Sequence, residues 1–144
     1  MKHLKTEIII NAPAEKVWGI LFDTSAYPDW NPFIVSVNKN FKPGEKMNIV
    51  LQQPDSKPMT IKPVVLEVIE NKKLRWLGHM GFKGLFDGHH IFELEAQSVN
   101  KTRFIHREEF SGILVGLFWK QLNTKTRKGF ELMNQSLKAL SERS

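Results

Sequence analysis

The chain has 144 residues, no cysteine, 41% hydrophobic residues and ten phenylalanines, which suits one folded domain spanning 1–144 and excludes disulfides and thiol catalysis. Its 21 basic and 15 acidic residues leave a net charge of +6, but the lysines are scattered, so we read a solvated surface and no nucleic-acid partner. No run of eighteen apolar residues marks a membrane span, and Met1–Lys5 leads into strand-like sequence without a signal-peptide core. With no cysteine, the expectation is a cytoplasmic protein.

In chain order, Lys5–Ile10 has strand character and ends at Asn11-Ala12-Pro13. Asn11 is a candidate cap and Pro13 suits a first helical turn, with Val17, Ile20 and Leu21 at helical spacing over Ala14–Phe22. Asp23-Thr24-Ser25 breaks that helix, and Ala26–Trp30 reads as a second short one. Strands follow at Phe33–Lys39, Lys46–Gln53, Met59–Ile69, Lys73–His79, Gly88–Gln97 and Lys101–Phe110, separated by turn residues such as Pro43-Gly44 and Asn71-Lys72. Hairpin-length connections make neighbouring strands antiparallel.

The final stretch, Gly112–Arg143, carries Leu114, Val115, Phe118, Trp119, Leu122, Phe130, Met133, Leu137 and Leu140 in steps that favour one helical stripe. A helix of that length runs on the order of 45 Å. Its apolar stripe needs a large receiving surface, and a curved seven-stranded antiparallel sheet supplies one. Gly129, beside Phe130, leaves either open space or a close helix–sheet contact.

Several words in this order resemble the START-like (SRPBCC) superfamily, in its polyketide cyclase/dehydrase-like branch. They are IIINAPAEKVWGIL (Ile8–Leu21), YPDWNPF (Tyr27–Phe33), LRWLG (Leu74–Gly78), GLFDGHHIFEL (Gly84–Leu94), TRFIHREEFSGIL (Thr102–Leu114) and GFELMN (Gly129–Asn134). The resemblance implies an α+β helix-grip fold with a deep apolar cavity. It covers lipid carriers, hormone receptors, aromatase/cyclases and chaperone-associated domains, among which a shared fold does not choose.

Strand alternation adds polar candidates. The apolar-rich faces of Gly88–Gln97 and Lys101–Phe110 must look inward and carry His90, His106 and Glu108 with them. A turn near Val99 sets His90 opposite Glu108 and Phe92 opposite His106. Such a pair either fixes register, orients a ligand hydroxyl or carbonyl, or passes a proton in a cyclisation or dehydration. The expected cavity lining is Trp30, Trp76, His90, Phe92, Phe104, His106, Glu108, Trp119, Leu122, Phe130 and Met133, for a hydrophobic or amphipathic small molecule. His90 and Glu108 are the catalytic candidates if the protein is an enzyme; an interaction module like the chaperone activators is a third reading. No cofactor or metal is expected, because His89 and His90 face opposite ways and no helical ligand pair occurs. Met80–Phe86, rich in glycine and large apolar residues, reads either as a lid able to touch a ligand or membrane or as core beneath the long helix.

Overall fold

The computed structural model describes residues 1–143. Strand β1 (Lys2–Ile10) leads to helix α1 (Ala14–Phe22), a 3₁₀ turn (Thr24–Ala26) and the single-turn helix α2 (Tyr27–Trp30). Pro13 stands at the N-cap of α1, and its carbonyl accepts from the Lys16 and Val17 amides. The expected cap Asn11 is engaged elsewhere: its amide donates to the Glu142 carboxylate at 2.8 Å, joining the end of β1 to the end of the chain. The Tyr27 hydroxyl, buried and pushed well above its ordinary pKa by burial and the Asp23 charge, donates to the Leu21 carbonyl.

The remaining strands are β2 (Ile34–Val37), β3 (Ile49–Leu51), β4 (Met59–Ile61), β5 (Val64–Ile69), β6 (Lys73–Met80), β7 (Phe86–Ser98) and β8 (Lys101–Ser111). Among the described residues eight strands therefore stand where seven were expected, because Met59–Ile69 divides at Lys62-Pro63. Proline has no amide to donate to a ladder, and the chain changes sheets there. One sheet has the order β1-β8-β7-β6-β5 and the other β2-β3-β4, with every pairing antiparallel.

The C-terminal segment is helical from Val115 to Ser141. It comprises α3 (Val115–Gln121), a π turn (Leu122–Thr126) and α4 (Arg127–Ser141), with right-handed helical backbone at both junctions. Helix α4 packs on β1 and β8 and against α1, burying Phe130, Met133 and Leu137. This is an α+β helix-grip fold, a curved antiparallel sheet holding a long terminal helix.

At Gly129 the close-contact reading holds. A Cβ there would lie 2.5 and 2.9 Å from atoms of the Phe33 ring, which is itself buried. Gly129→Ala should therefore destabilise the protein by about 1–3 kcal/mol, overpacking outweighing the ~1 kcal/mol helix-propensity gain. Chemical denaturation measures it, and a stabilised variant would show that the Phe33 ring can move aside.

Candidate functional site

Two features lie beneath the long helix: a buried line of polar side chains between the sheet and α4, and an apolar cavity under the helix's N-terminal part. On the inner face, Leu74 and Trp76 of β6, His90 and Phe92 of β7, and Phe104 and His106 of β8 project toward α4. The register pairs His90 with Glu108 and Phe92 with His106. His90 is held in an aromatic sleeve. Trp76 stacks on it at 4.7 Å and 13°, while Phe92 and Phe130 present edges.

His90 Nδ1 lies 3.1 Å from Glu108 Oε1, and its Nε2 lies 2.8 Å from His106 Nε2. His106 Nδ1 in turn meets Asn134 Oδ1 at 2.9 Å, and Asn134 Nδ2 donates to Thr6 Oγ1 at 2.9 Å. The Thr6 hydroxyl closes the line on the His106 carbonyl at 2.9 Å. Phe130 covers His106 face to face, with ring centroids 3.9 Å apart and planes 8° from parallel. Burial, and then the charge of His90, hold the His106 imidazole well below its ordinary pKa; the Asn134 hydrogen bond opposes them without winning. His106 is therefore neutral near pH 7.

Asn134 and Thr6 were not among the sequence candidates, although both sit in readable positions. Asn134 falls on the α4 stripe one turn after Phe130, and Thr6 shares the inner face of β1 with Leu4 and Ile10.

Beyond Glu108 the sheet ends at a cavity of about 460 Å³ lined by Met59, Leu85, Phe86, Leu114, Phe118 and Leu122, with Gln53, Gln121 and Thr126 supplying polar groups. Gln53 Nε2 donates to Thr126 Oγ1 at 2.9 Å across one wall. The 80–86 stretch divides between the two roles expected of it. Leu85 and Phe86 form cavity wall and the half-exposed Met80 lies at its edge, whereas Phe82 is exposed and lines no part of it. The stretch is tied in place: Ile113 and Leu114 amides donate to the Gly84 and Leu85 carbonyls, at 3.0 and 3.1 Å. Gly112 makes that seam feasible. Its φ is +118°, and a Cβ would lie 2.6 Å from the Leu85 carbonyl oxygen.

Of the expected lining, only Leu122 borders this cavity. Trp76, His90, Phe92, Phe104, His106, Phe130 and Met133 pack against one another in the core, and Trp119 is partly buried against it. Glu108, partly exposed, lies between the core and the open end of the sheet. Trp30 borders a separate hollow with Lys16, Ile20 and Leu140. Asn31 serves as the helix-to-strand corner, its side-chain oxygen accepting from the Phe33 and Ile34 amides. Among the described residues, no group of three or more metal-binding side chains gathers anywhere, nor is any helix long and apolar enough to cross a membrane.

The sequence of residues 11–142 matches the family profile of the activator of Hsp90 ATPase homolog 1-like proteins, AHSA1. The chain belongs to the AHSA1 family. This sets it within the START-like (SRPBCC) superfamily that its sequence resembles. No functionally curated protein matches the AHSA1-family chain. Among solved structures, it is similar to an aromatase/cyclase of a Streptomyces species, with a TM-score of 0.79, 12% identity, and 99% of this chain covering 94% of that one. A protein of Helicobacter pylori aligns with a TM-score of 0.77 at 18% identity, over 97% of this chain and 88% of that one. A START superfamily protein of Mycobacterium smegmatis aligns at 0.73 and 17% identity, over 97% of each chain. At such identities these likenesses describe the fold of the AHSA1-family chain, not its chemistry.

Proposed function

We propose that this protein is a cytoplasmic binder of a hydrophobic or amphipathic small molecule, of lipid, polyketide or aromatic type, held at the junction of sheet and C-terminal helix. The carrying observation is the cavity of about 460 Å³ with an apolar wall and a few polar groups, the size and make-up usual for small-molecule sites. Exposed Met80, Phe82, Ile113 and Leu117 lie on the two segments that frame its mouth, apolar surface of the kind a ligand crosses on entry. Fold relatives that include an aromatase/cyclase and a START superfamily protein are in keeping with this reading.

The test is binding of a fluorescent hydrophobic probe to the protein and to Leu122→Trp, whose larger ring would occupy the cavity. The variant should remain folded and bind ~10-fold more weakly or worse, a difference of about 1.4 kcal/mol. Unchanged binding would move the ligand elsewhere. Native mass spectrometry of gently purified protein would then name a co-purifying ligand.

A second reading, proton transfer in a cyclisation or dehydration, draws on the 3.1 Å contact between His90 and Glu108. Glu108→Gln should then abolish turnover of a poly-carbonyl substrate while leaving probe binding intact. Equal turnover in both proteins would remove the pair from catalysis.

A further inference from the structure

The direction of every hydrogen bond in the buried line follows from one fixed end. A carbonyl oxygen only accepts, so the Thr6 hydroxyl donates to the His106 carbonyl and offers its lone pairs to Asn134. The amide nitrogen of Asn134 must therefore face Thr6, and its oxygen faces His106 Nδ1. That oxygen accepts, so His106 Nδ1 carries a hydrogen. His106 is neutral, as its depressed pKa requires, so its Nε2 is bare and accepts from His90 Nε2–H at 2.8 Å. Only His90 Nδ1 and Glu108 Oε1, 3.1 Å apart, are left. A bare imidazole nitrogen cannot face an ionised carboxylate oxygen at that distance, since both would be acceptors. One proton must lie between them.

We propose that Thr6, Asn134 and His106 act as positioning residues that oblige the His90–Glu108 couple to hold one shared proton, leaving it without net charge, so that Glu108 Oε2, next to the cavity wall at Phe86, suits a neutral, hydroxyl-bearing apolar ligand. The proton sits on Glu108 beside a neutral imidazole or on His90 beside a carboxylate; the sum is zero either way. In either form Glu108 Oε2 is an acceptor. It has no hydrogen-bond partner among the described residues, and the Glu108 side chain is 16% exposed. It leans over Gly88, where a Cβ would lie 2.3 Å away. Gly88 shares the inner face of β7 with the cavity-lining Phe86 and with His90. A ligand hydroxyl donates to such an oxygen. A ligand carboxylate would set lone pairs against lone pairs, and an ammonium would find no net negative charge to meet. The other groups packed on His90, namely Trp76 of β6, Phe92 of β7 and Phe130 of α4, carry no charge that could take the proton's place.

The ligand half of this proposal rests on the cavity reading above, whereas the proton half does not, and two measurements keep them apart. The first is the ring ¹⁵N NMR spectrum of the ligand-free protein near pH 7. His106 should be the neutral Nδ1–H tautomer and His90 should carry a hydrogen on Nε2. In Asn134→Leu, near in size but unable to accept, the line should reverse. His106 then holds Nε2–H, His90 holds Nδ1–H alone, and Glu108 is a bare carboxylate. A wild-type His106 with Nε2–H overturns the proton half, whether or not the variant folds. The second is binding of matched decanol, decanoate and decylamine. The wild type should favour decanol by ~10-fold or more, and Asn134→Leu should shift preference toward decylamine. The stated tautomers with no preference for decanol overturn the ligand half; no binding of any of the three overturns the cavity reading as well.

Discussion

Truncation of Phe130 to alanine should lower the unfolding free energy by about 3–5 kcal/mol, among the larger single losses a domain of this size sustains. The ring is fully buried and sits where the long helix, the sheet and the Phe33 corner converge. It stacks on His106 at 3.9 Å and meets Phe33 and His90 edge-on at 5.3 and 5.2 Å. Removing it therefore forfeits apolar burial together with three aromatic contacts, each worth about 0.5–1.5 kcal/mol beyond area alone. Gly129 offers no compensation, since the space above it already belongs to Phe33. The loss is read as a lower urea midpoint at unchanged slope. A change under about 1 kcal/mol would mean that the core collapses around the gap or that the helix is seated otherwise.

Acid should weaken the fold through His106 before most carboxylates titrate. Burial and the neighbouring His90 depress the folded-state pKa of this imidazole well below 6.5, while the unfolded ring keeps a value of about 6.5. The unfolded chain therefore binds the proton more readily. The stabilisation is complete above about pH 6.5 and is lost as pH falls below it, at up to about 1.4 kcal/mol per pH unit, until the folded ring itself titrates. Between pH 6.5 and 5 that amounts to about 2 kcal/mol. The polar groups facing His106 are His90 and Asn134, and the rings packed on it, Phe130, Phe92, Phe104 and Phe33, carry no charge. Comparison with His106→Gln isolates the effect, because glutamine has no ring to protonate. Denaturation midpoints at several pH values should fall on acidification in the wild type and stay flatter in the variant. Parallel slopes would show that His106 does not govern the acid limb.

Much of the fold was legible because it rests on period and punctuation. Alternation over Gly88–Gln97 and Lys101–Phe110, with a turn at Val99-Asn100, was enough to set the His90–Glu108 register. The step pattern from Phe130 to Leu137 was enough to name the buried face of α4. The division at Pro63 was missed because a proline within one apolar run is compatible both with an edge strand and with a break. The line of polar partners was only half visible. His90, His106 and Glu108 announce themselves as ionisable groups on apolar faces. Asn134 and Thr6 look like ordinary polar residues until a helix from one end of the chain is laid over a strand from the other. The open cavity was the least legible part. It is bounded by Gln53 after β3, Met59 of β4, the 80–86 stretch and the helix from Leu114 to Thr126, and no local pattern states that four separated segments leave a gap between them.

The π turn at Leu122–Thr126 gives the long helix a seam. A turn closed by i→i+5 bonds takes in one residue more than its α-helical neighbours, which shifts the angular phase of the two halves by about 100°. One half is thereby free of the other's pattern. Helix α4 keeps its stripe in register with β1 and β8, while α3 turns Leu114 and Phe118 toward the cavity and leaves Leu117 outside. The two halves answer to different constraints, packing on the sheet on one side of the seam and the shape of the cavity on the other. Sequence drift in α3 can thus reshape the cavity without disturbing the grip that holds the domain together.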